Sequence, residues 1–390
     1  MRYASTVDRL SDLGSAKWAV HIAGRQRAAK GEKLIFLSIG EPDLPPPKAI
    51  IDVADRQMRA GRLRYSAGRG ELHLREALAR HYTKQTGRSI AADQFLFLPG
   101  TQAALACAFM AIIEPGDEVL LLDPYYATYE AVVTAPGGVP VAVPLDPDRG
   151  FHPDISAIER AVTPKTKAIL LNSPSNPTGA VFTRAENLAI GEIAKRHDLW
   201  MVSDEVYASM IHGNHSFHSP FFEPDLEERT IVVSSISKSH ALPGFRAGWV
   251  AGSADFCNHL LPVSETLLFG CQPFLEDATA FALDTHFDET DAMKQAYLAR
   301  AKVLMNGVAG AKGVTTHLPE GGMFLMLDVR GTGLSGEAFA RRLLDEEAVV
   351  TMPGESFGAR GAGHCRVALT VDEATMAEAA RRITALANRL

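Results

Sequence analysis

Ile231-Val232-Val233-Ser234-Ser235-Ile236-Ser237-Lys238-Ser239-His240 joins an apolar run to a lysine set among small hydroxyl residues. A short β-branched run bounded by polar residues reads as a buried strand. Lys238 then stands just past a strand's carboxyl end, the place where open α/β sheets bind their ligands. Further along, Pro243-Gly244-Phe245-Arg246 supplies a second fixed cation. An amine so placed can form an imine with an aldehyde, while serine hydroxyls and an arginine fork hold the anionic end of the same ligand. Taken alone, such a lysine is more often a solvated surface residue than a nucleophile.

Similar apolar runs recur on either side. Phe95–Leu98, Val119–Leu122, Val139–Val143, Ala168–Leu171, Trp200–Val202, Ile231–Ser234 and Gly248–Ala251 have helical patterns in several of the gaps between them. That order calls for a mainly parallel sheet covered on both faces, an α/β domain. From about Phe281, long helical patterns accompany two further strand runs, Met323–Val329 and Arg366–Leu369, separated by Gly-rich turns. This part reads as a smaller α+β domain, and Pro45-Pro46-Pro47 as a rigid link into the larger one.

Three more segments set polar groups at strand ends. Asn172-Ser173-Pro174-Ser175-Asn176-Pro177-Thr178-Gly179 follows the strand ending at Leu171 and offers a side-chain amide, or an ordinary turn. Trp200-Met201-Val202-Ser203-Asp204-Glu205-Val206-Tyr207 ends a strand in an acid, which suits either a site or a helix cap. Leu98-Pro99-Gly100-Thr101-Gln102-Ala103-Ala104-Leu105 passes through glycine into an Ala-rich helix, whose free N–H groups and dipole suit a phosphate.

In this chain order the four segments together resemble the class I/II aminotransferases of fold type I, the aspartate aminotransferase superfamily, over nearly the whole chain. The resemblance implies pyridoxal 5'-phosphate as cofactor, with Lys238 as its covalent anchor and catalytic base. Asp204 would pair with the pyridine nitrogen, and Asn176 and Tyr207 with the ring's 3'-oxygen. Gly100, Thr101, Gln102, Ser235, Ser237 and Arg246 would surround the phosphate. Tyr126 of Asp123-Pro124-Tyr125-Tyr126 looks like the stacking ring, where many relatives carry Trp or Phe. Arg366, in His364-Cys365-Arg366-Val367-Ala368-Leu369, would bind the substrate α-carboxylate, aided by Asn176 and by the main chain of Gly40 in Ser38-Ile39-Gly40-Glu41-Pro42-Asp43. Tyr65 resembles a tyrosine that reaches the phosphate of a neighbouring subunit, which implies a homodimer with shared active sites. The same resemblance implies an N-terminal arm over residues 1–45 belonging partly to the small domain, a large cofactor-binding domain with a seven-stranded sheet over 46–280, and a small domain over 281–390.

These residue types suit the chemistry. A carboxylate that keeps the pyridine nitrogen protonated makes the ring an electron sink for the substrate α-carbon. A neutral lysine beside that carbon can carry its proton. An arginine fork fixes the substrate carboxylate, and with it the orientation of the bond to be broken. The reading favours a ping-pong aminotransferase acting on an amino acid and a 2-oxo acid. The alternative is a C–S β-lyase on sulfur amino acids. A cofactor-sensing regulator ranks lower, because the chain opens almost directly into the scaffold. In Val263-Ser264-Glu265-Thr266-Leu267-Leu268-Phe269-Gly270-Cys271, where relatives specialised for dicarboxylic acids often place a second arginine, this chain has none and carries Glu265. Phe269 and Trp18, the latter in a segment that folds over the site in relatives, could line an apolar pocket. The 1–18 and 237–249 stretches look similar to arginine:pyruvate transaminases. Neutral, aromatic or basic donors are therefore expected over aspartate, with pyruvate or 2-oxoglutarate as acceptor.

Composition agrees. The 390 residues are 46% hydrophobic and 22% charged, with a formal net charge of -7 and no block of Lys or Arg, which argues against nucleic acid as a partner. The start lacks an apolar leader and no stretch is long enough to span a bilayer, so the cytoplasm is the expected compartment. Four cysteines, Cys107, Cys257, Cys271 and Cys365, show no C-x-x-C spacing and read as reduced thiols. His212, His215 and His218 are read as loop polarity rather than a metal site, and Gly358 to His364 as a turn before the Arg366 strand.

Overall fold

The computed structural model describes residues 2–11, 13 and 16–390. Seven strands form its main sheet: β1 Phe95–Leu98, β2 Glu118–Asp123, β3 Val139–Pro144, β4 Thr166–Asn172, β5 Trp200–Asp204, β6 Thr230–Ser235 and β7 Gly248–Ala251. Their spatial order is β1-β7-β6-β5-β4-β2-β3, and β7 alone runs against its neighbours. Every expected run lies inside one of these strands. β6 is buried along its full length and β2 except at Glu118, as a sheet covered on both faces requires.

Register brings the site residues to one edge. Asn172 of β4 pairs with Asp204 of β5, and Asp204 in turn lies beside Val233 of β6. The carboxyl ends of these strands therefore deliver Asn172, Asp204 and Ser235 side by side. Helix Thr101–Ile112 follows β1 and is apolar nearly all round, with Ala104, Leu105, Ala108 and Phe109 buried, so it packs tightly beneath that edge.

A second, four-stranded antiparallel sheet takes the order Met352–Pro353, His364–Ala368, Phe324–Asp328 and Thr315–Thr316. Arg366 sits in its middle, opposite Met326 on one side and Met352 on the other. Helices Asp288–Val308 and Glu373–Arg389 pack together over it, and their buried residues share one core with Val20 and Leu37 from the N-terminal part of the chain. Ile35–Phe36 also pairs in parallel with Val349–Val350. Strands of two residues carry no periodic signal, which is why the sequence shows none of them. The Arg366 strand runs His364–Ala368 rather than to Leu369, because pairing with Phe324–Asp328 sets its limits.

The turn expected before that strand is present as short 3-10 turns over Gly354–Phe357 and Ala359–Gly361. The reading of the histidine loop needs correction: His212 is buried, and its Nε2 lies 2.8 Å from the Gly322 carbonyl. It ties the loop to the chain leading into Phe324–Asp328, a long-range contact that local composition does not reveal. Of the cysteines, Cys107, Cys257 and Cys365 are buried, Cys271 is half-buried, and all are free. No helix among the described residues is long and apolar enough to cross a membrane.

Candidate active site

A cavity of about 500 Å³ opens along the carboxyl edge of the main sheet. Among its lining residues are Trp18, Gly40, Thr101, Gln102, Tyr126, Asn176, Asp204, Tyr207, Ser235, Ser237, Lys238, Arg246 and Arg366. Residues from eight separate stretches of sequence thus converge on one space.

Lys238 comes from the single helical turn Ile236–Ser239 that follows β6, a turn started by Ser235, whose side chain accepts the Ser237 N–H. Its Nζ donates to the Gly40 carbonyl at 2.5 Å. Burial lowers the amine to about 8, opposed by the Glu41 carboxylate and reinforced by Arg366 and Arg246. An amine at that value keeps a far larger neutral fraction near physiological pH than an ordinary lysine, which a nucleophile or proton carrier needs. At Gly40 a Cβ would collide with the Phe324 ring, so this close approach requires glycine. The contact made by Gly40 here is its carbonyl with Lys238.

Asp204, the last residue of β5, is 4% exposed. Its Oδ2 accepts from the Tyr129 hydroxyl at 2.8 Å and its Oδ1 from the Val206 N–H at 3.2 Å. Burial pushes the carboxyl up to about 6, and those two donors resist it. Asn172 holds the same strand end from the side: its Nδ2 donates to the Asp204 carbonyl and its Oδ1 accepts the Asn176 N–H.

Arg366 is 1% exposed and lies between two aromatic rings, 4.2 Å from the Phe324 centroid and 4.5 Å from that of Phe357. Nη1 donates to Asn176 Oδ1 at 2.8 Å and Nη2 to the Ser38 carbonyl at 2.5 Å, while Nε is buried and has no partner among the described residues. Burial brings the guanidinium down to about 10. A buried cation with no carboxylate beside it and a spare donor is poised for an anion. Tyr207 is buried, its phenol held well above the ordinary range chiefly by desolvation, and its side chain bonds to that of Asn176.

At the other end Gly100, with φ 86°, caps helix Thr101–Ile112 and leaves the first-turn N–H groups free. The Thr101 and Ser235 hydroxyls are 3.1 Å apart, and the Thr128 hydroxyl donates to Gln102 Oε1. Arg246 donates to the Pro99 and Pro243 carbonyls. Gly100 is not among the lining residues: a Cβ there would fall on the Arg246 guanidinium, so this glycine makes room for the arginine. Tyr65 is also outside the cavity, 83% exposed, with its ring against Phe269 at 5.2 Å. Phe269 is itself exposed, so of the two aromatic residues expected to shape the pocket only Trp18 does so within this chain.

Tyr129, Asn172, Phe324 and Phe357 belong to the site but escaped the sequence reading. Tyr129 follows Tyr126 at a one-turn spacing, a usable signal; Asn172 needed the β4–β5 register, and the two phenylalanines needed the tertiary fold.

The residues fit pyridoxal phosphate. A desolvated amine, an acid at the floor, an aromatic side wall and a helix start with hydroxyls and a guanidinium correspond to aldehyde, ring nitrogen, ring face and phosphate. The family model for aminotransferase class I and II matches residues 32–383. The chain belongs to that family. Arginine–pyruvate transaminase of Pseudomonas aeruginosa is 39% identical over 391 residues, covering 100% of this chain and 99% of the relative. Aspartate/prephenate aminotransferase of Thermus thermophilus is 32% identical over 96% of both. The solved aspartate aminotransferase of Rhizobium meliloti superposes with a TM-score of 0.94 at 28% identity over 100% of both chains. The protein is a fold type I, pyridoxal-phosphate-dependent aminotransferase, and the β-lyase alternative finds no support among these relatives.

Proposed function

We propose that this aminotransferase takes basic or neutral, including aromatic, amino donors in preference to aspartate, and passes the amino group to pyruvate or 2-oxoglutarate by a ping-pong cycle. One observation carries the preference. Among the described residues the cations lining the cavity are Lys238, Arg246 and Arg366, each committed around the cofactor or the α-carboxylate, and the only acid besides Asp204 is Glu41. A second carboxylate would find no cation of its own, whereas a guanidinium or ammonium would find Glu41, exposed and in no ion pair among the described residues. The relative named for arginine and pyruvate makes that pair the first to assay.

When bound, pyridoxal phosphate supplies the aldehyde that takes up the amino group and the ring that withdraws electrons from the α-carbon. Lys238 would anchor it and, once released, move the proton at the α-carbon. Asp204 would hold the ring nitrogen protonated, Asn176 and Tyr207 the 3'-oxygen, and Tyr126 the ring face. Thr101, Gln102, Ser235, Ser237 and Arg246 would hold the phosphate, with Gly100 shaping their turn. Arg366 would fix the α-carboxylate with help from Asn176 and Gly40, and Trp18 would close the pocket. On the same reading residues 1–45 with 281–390 and residues 46–280 form the small and large domains, supported by the core that Val20 and Leu37 share with the C-terminal helices. Exposure of Tyr65 and Phe269 supports a homodimer in which Tyr65 enters the partner's site, and the cytoplasm is the compartment proposed for it.

Measuring kcat/KM for arginine, methionine, phenylalanine and aspartate tests the donor class. Aspartate leading by about tenfold, 1.4 kcal/mol of transition-state binding, would overturn it.

A further inference from the structure

Tyr129 begins the helix Tyr129–Thr134 and is 2% exposed, yet it serves two groups of the site at once. Its N–H donates to the Tyr126 carbonyl at 3.0 Å, closing the turn that presents Tyr126. Its ring stands edge-on to that of Tyr126, centroids 5.6 Å apart at 83°. Its hydroxyl donates to Asp204 Oδ2.

We propose that Tyr129 is a positioning residue for the cofactor ring: its hydroxyl holds Asp204 ionised and aimed, and its ring seats Tyr126. The proposal rests on the reading of Asp204 as partner of the ring nitrogen. A phenol wholly buried beside a carboxylate keeps its proton, and since an ionised carboxylate can only accept, the phenol is the donor in this bond. Bonds to an ionised acceptor are about twice as strong as neutral ones. With the Val206 N–H on Oδ1, each carboxylate oxygen has one donor and lone pairs to spare for a ring N–H. Other titratable groups act on this carboxylate less directly. Glu205, just past β5, accepts from the Ser203 and Ser219 hydroxyls instead, and Tyr126 and Tyr207 are neutral phenols. Lys238 and Arg366 line the same cavity and share no hydrogen bond with Asp204. Without the Tyr129 hydroxyl, Asp204 becomes more basic and draws the proton away from the ring nitrogen.

The test reconstitutes wild-type, Tyr129→Phe, Asp204→Asn and doubly substituted protein with cofactor isotopically labelled at the ring nitrogen. NMR follows that nitrogen across neutral pH, and cofactor affinity is titrated alongside. Wild type should show a protonated nitrogen and Asp204→Asn an unprotonated one. Tyr129→Phe should fall between, with cofactor affinity weakened on the order of tenfold. In the Asp204→Asn background the tyrosine change should alter affinity no further, whereas a purely structural loss would recur there. A nitrogen shift that Tyr129→Phe leaves in place while Asp204→Asn moves it would overturn the role of Tyr129 alone. Unmoved shifts in both variants would overturn the reading of Asp204 beneath it.

Discussion

Two grooves of nearly equal volume treat their charges in opposite ways. The cavity around Lys238, about 500 Å³, holds an amine lowered to about 8, an acid raised to about 6 and an arginine whose Nε has no partner among the described residues. The groove lined by Asp148, Phe151, Glu320, Asp328, Arg330 and His364, about 480 Å³, is bordered by charges that complete one another. Arg330 pairs with Asp148 and Asp328 at 2.7 Å. His152 spans Glu186 at 2.9 Å and Glu320 at 3.2 Å. There His152 and Arg330 are shifted up and Asp328, Glu186 and Glu320 down, because hydrogen-bonded partners outweigh burial; around Lys238 burial dominates, and the shifts run the other way. Size alone does not mark the functional cleft. Charges desolvated without full compensation do, because they are held ready for a ligand.

The largest effect should come from removing the amine. Lys238→Ala should lose at least about 10⁴-fold in turnover, and borohydride should no longer fix the cofactor at position 238. Mass spectrometry of wild type that placed the label on another lysine would break the comparison at its first point. Asp204→Asn comes next, at about a thousandfold in rate, with Asp204→Glu milder. Near wild-type turnover in the Asn variant would reduce the acid to a strand-end hydrogen-bonding group.

How much of this contrast the sequence shows depends on range. Lys238, Asp204, Asn176 and Thr101 are legible because each sits within a few residues of an apolar run whose end fixes its place on the sheet edge. The place of each strand β1–β7 likewise follows from local hydrophobicity, while β2–β6 run one or two residues beyond the apolar runs. Tyr129 donating to Asp204 across 75 positions, or Phe324 and Phe357 closing on Arg366, are matters of packing between segments, and no local pattern encodes them. The second groove was invisible for the same reason: His152, Glu186 and Glu320 are individually ordinary, and only the fold brings them together. Tyr65 is 83% exposed on the single chain, and its place was legible only through the resemblance, because no contact within the chain assigns it a role.

A third substitution sharpens the contrast at the substrate end. Arg366→Lys keeps the charge but replaces a planar fork, stacked between two rings, with a point cation. Losing one charged hydrogen bond in a buried site should lower kcat/KM for every amino donor on the order of a hundredfold, mainly through KM. A uniform fall in kcat with unchanged KM would mean that Arg366 supports the fold around Asn176 rather than the substrate.

The smallest effect belongs to the satisfied groove and should appear in stability. His152 is raised to about 10 by its bonds to Glu186 and Glu320, against an ordinary 6.5 in the unfolded chain. A raised basic group stabilises the fold fully below its unfolded value, and that contribution disappears as pH climbs through the folded one. The two acids are lowered, so their share is present above the ordinary carboxylate range and is lost on acidification. The bridge should therefore be at full strength from about pH 4.5 to about 6.5, weaken steadily above that and be gone beyond about 10. Near pH 6 His152→Gln should cost about 1–2 kcal/mol in chemical denaturation, leave KM values unchanged, and differ less and less from wild type as pH rises from about 6.5 to about 10. A stability gap as wide above that pH as at neutrality would show that the imidazole acts by packing alone, and the pairing of charges would no longer distinguish the two grooves.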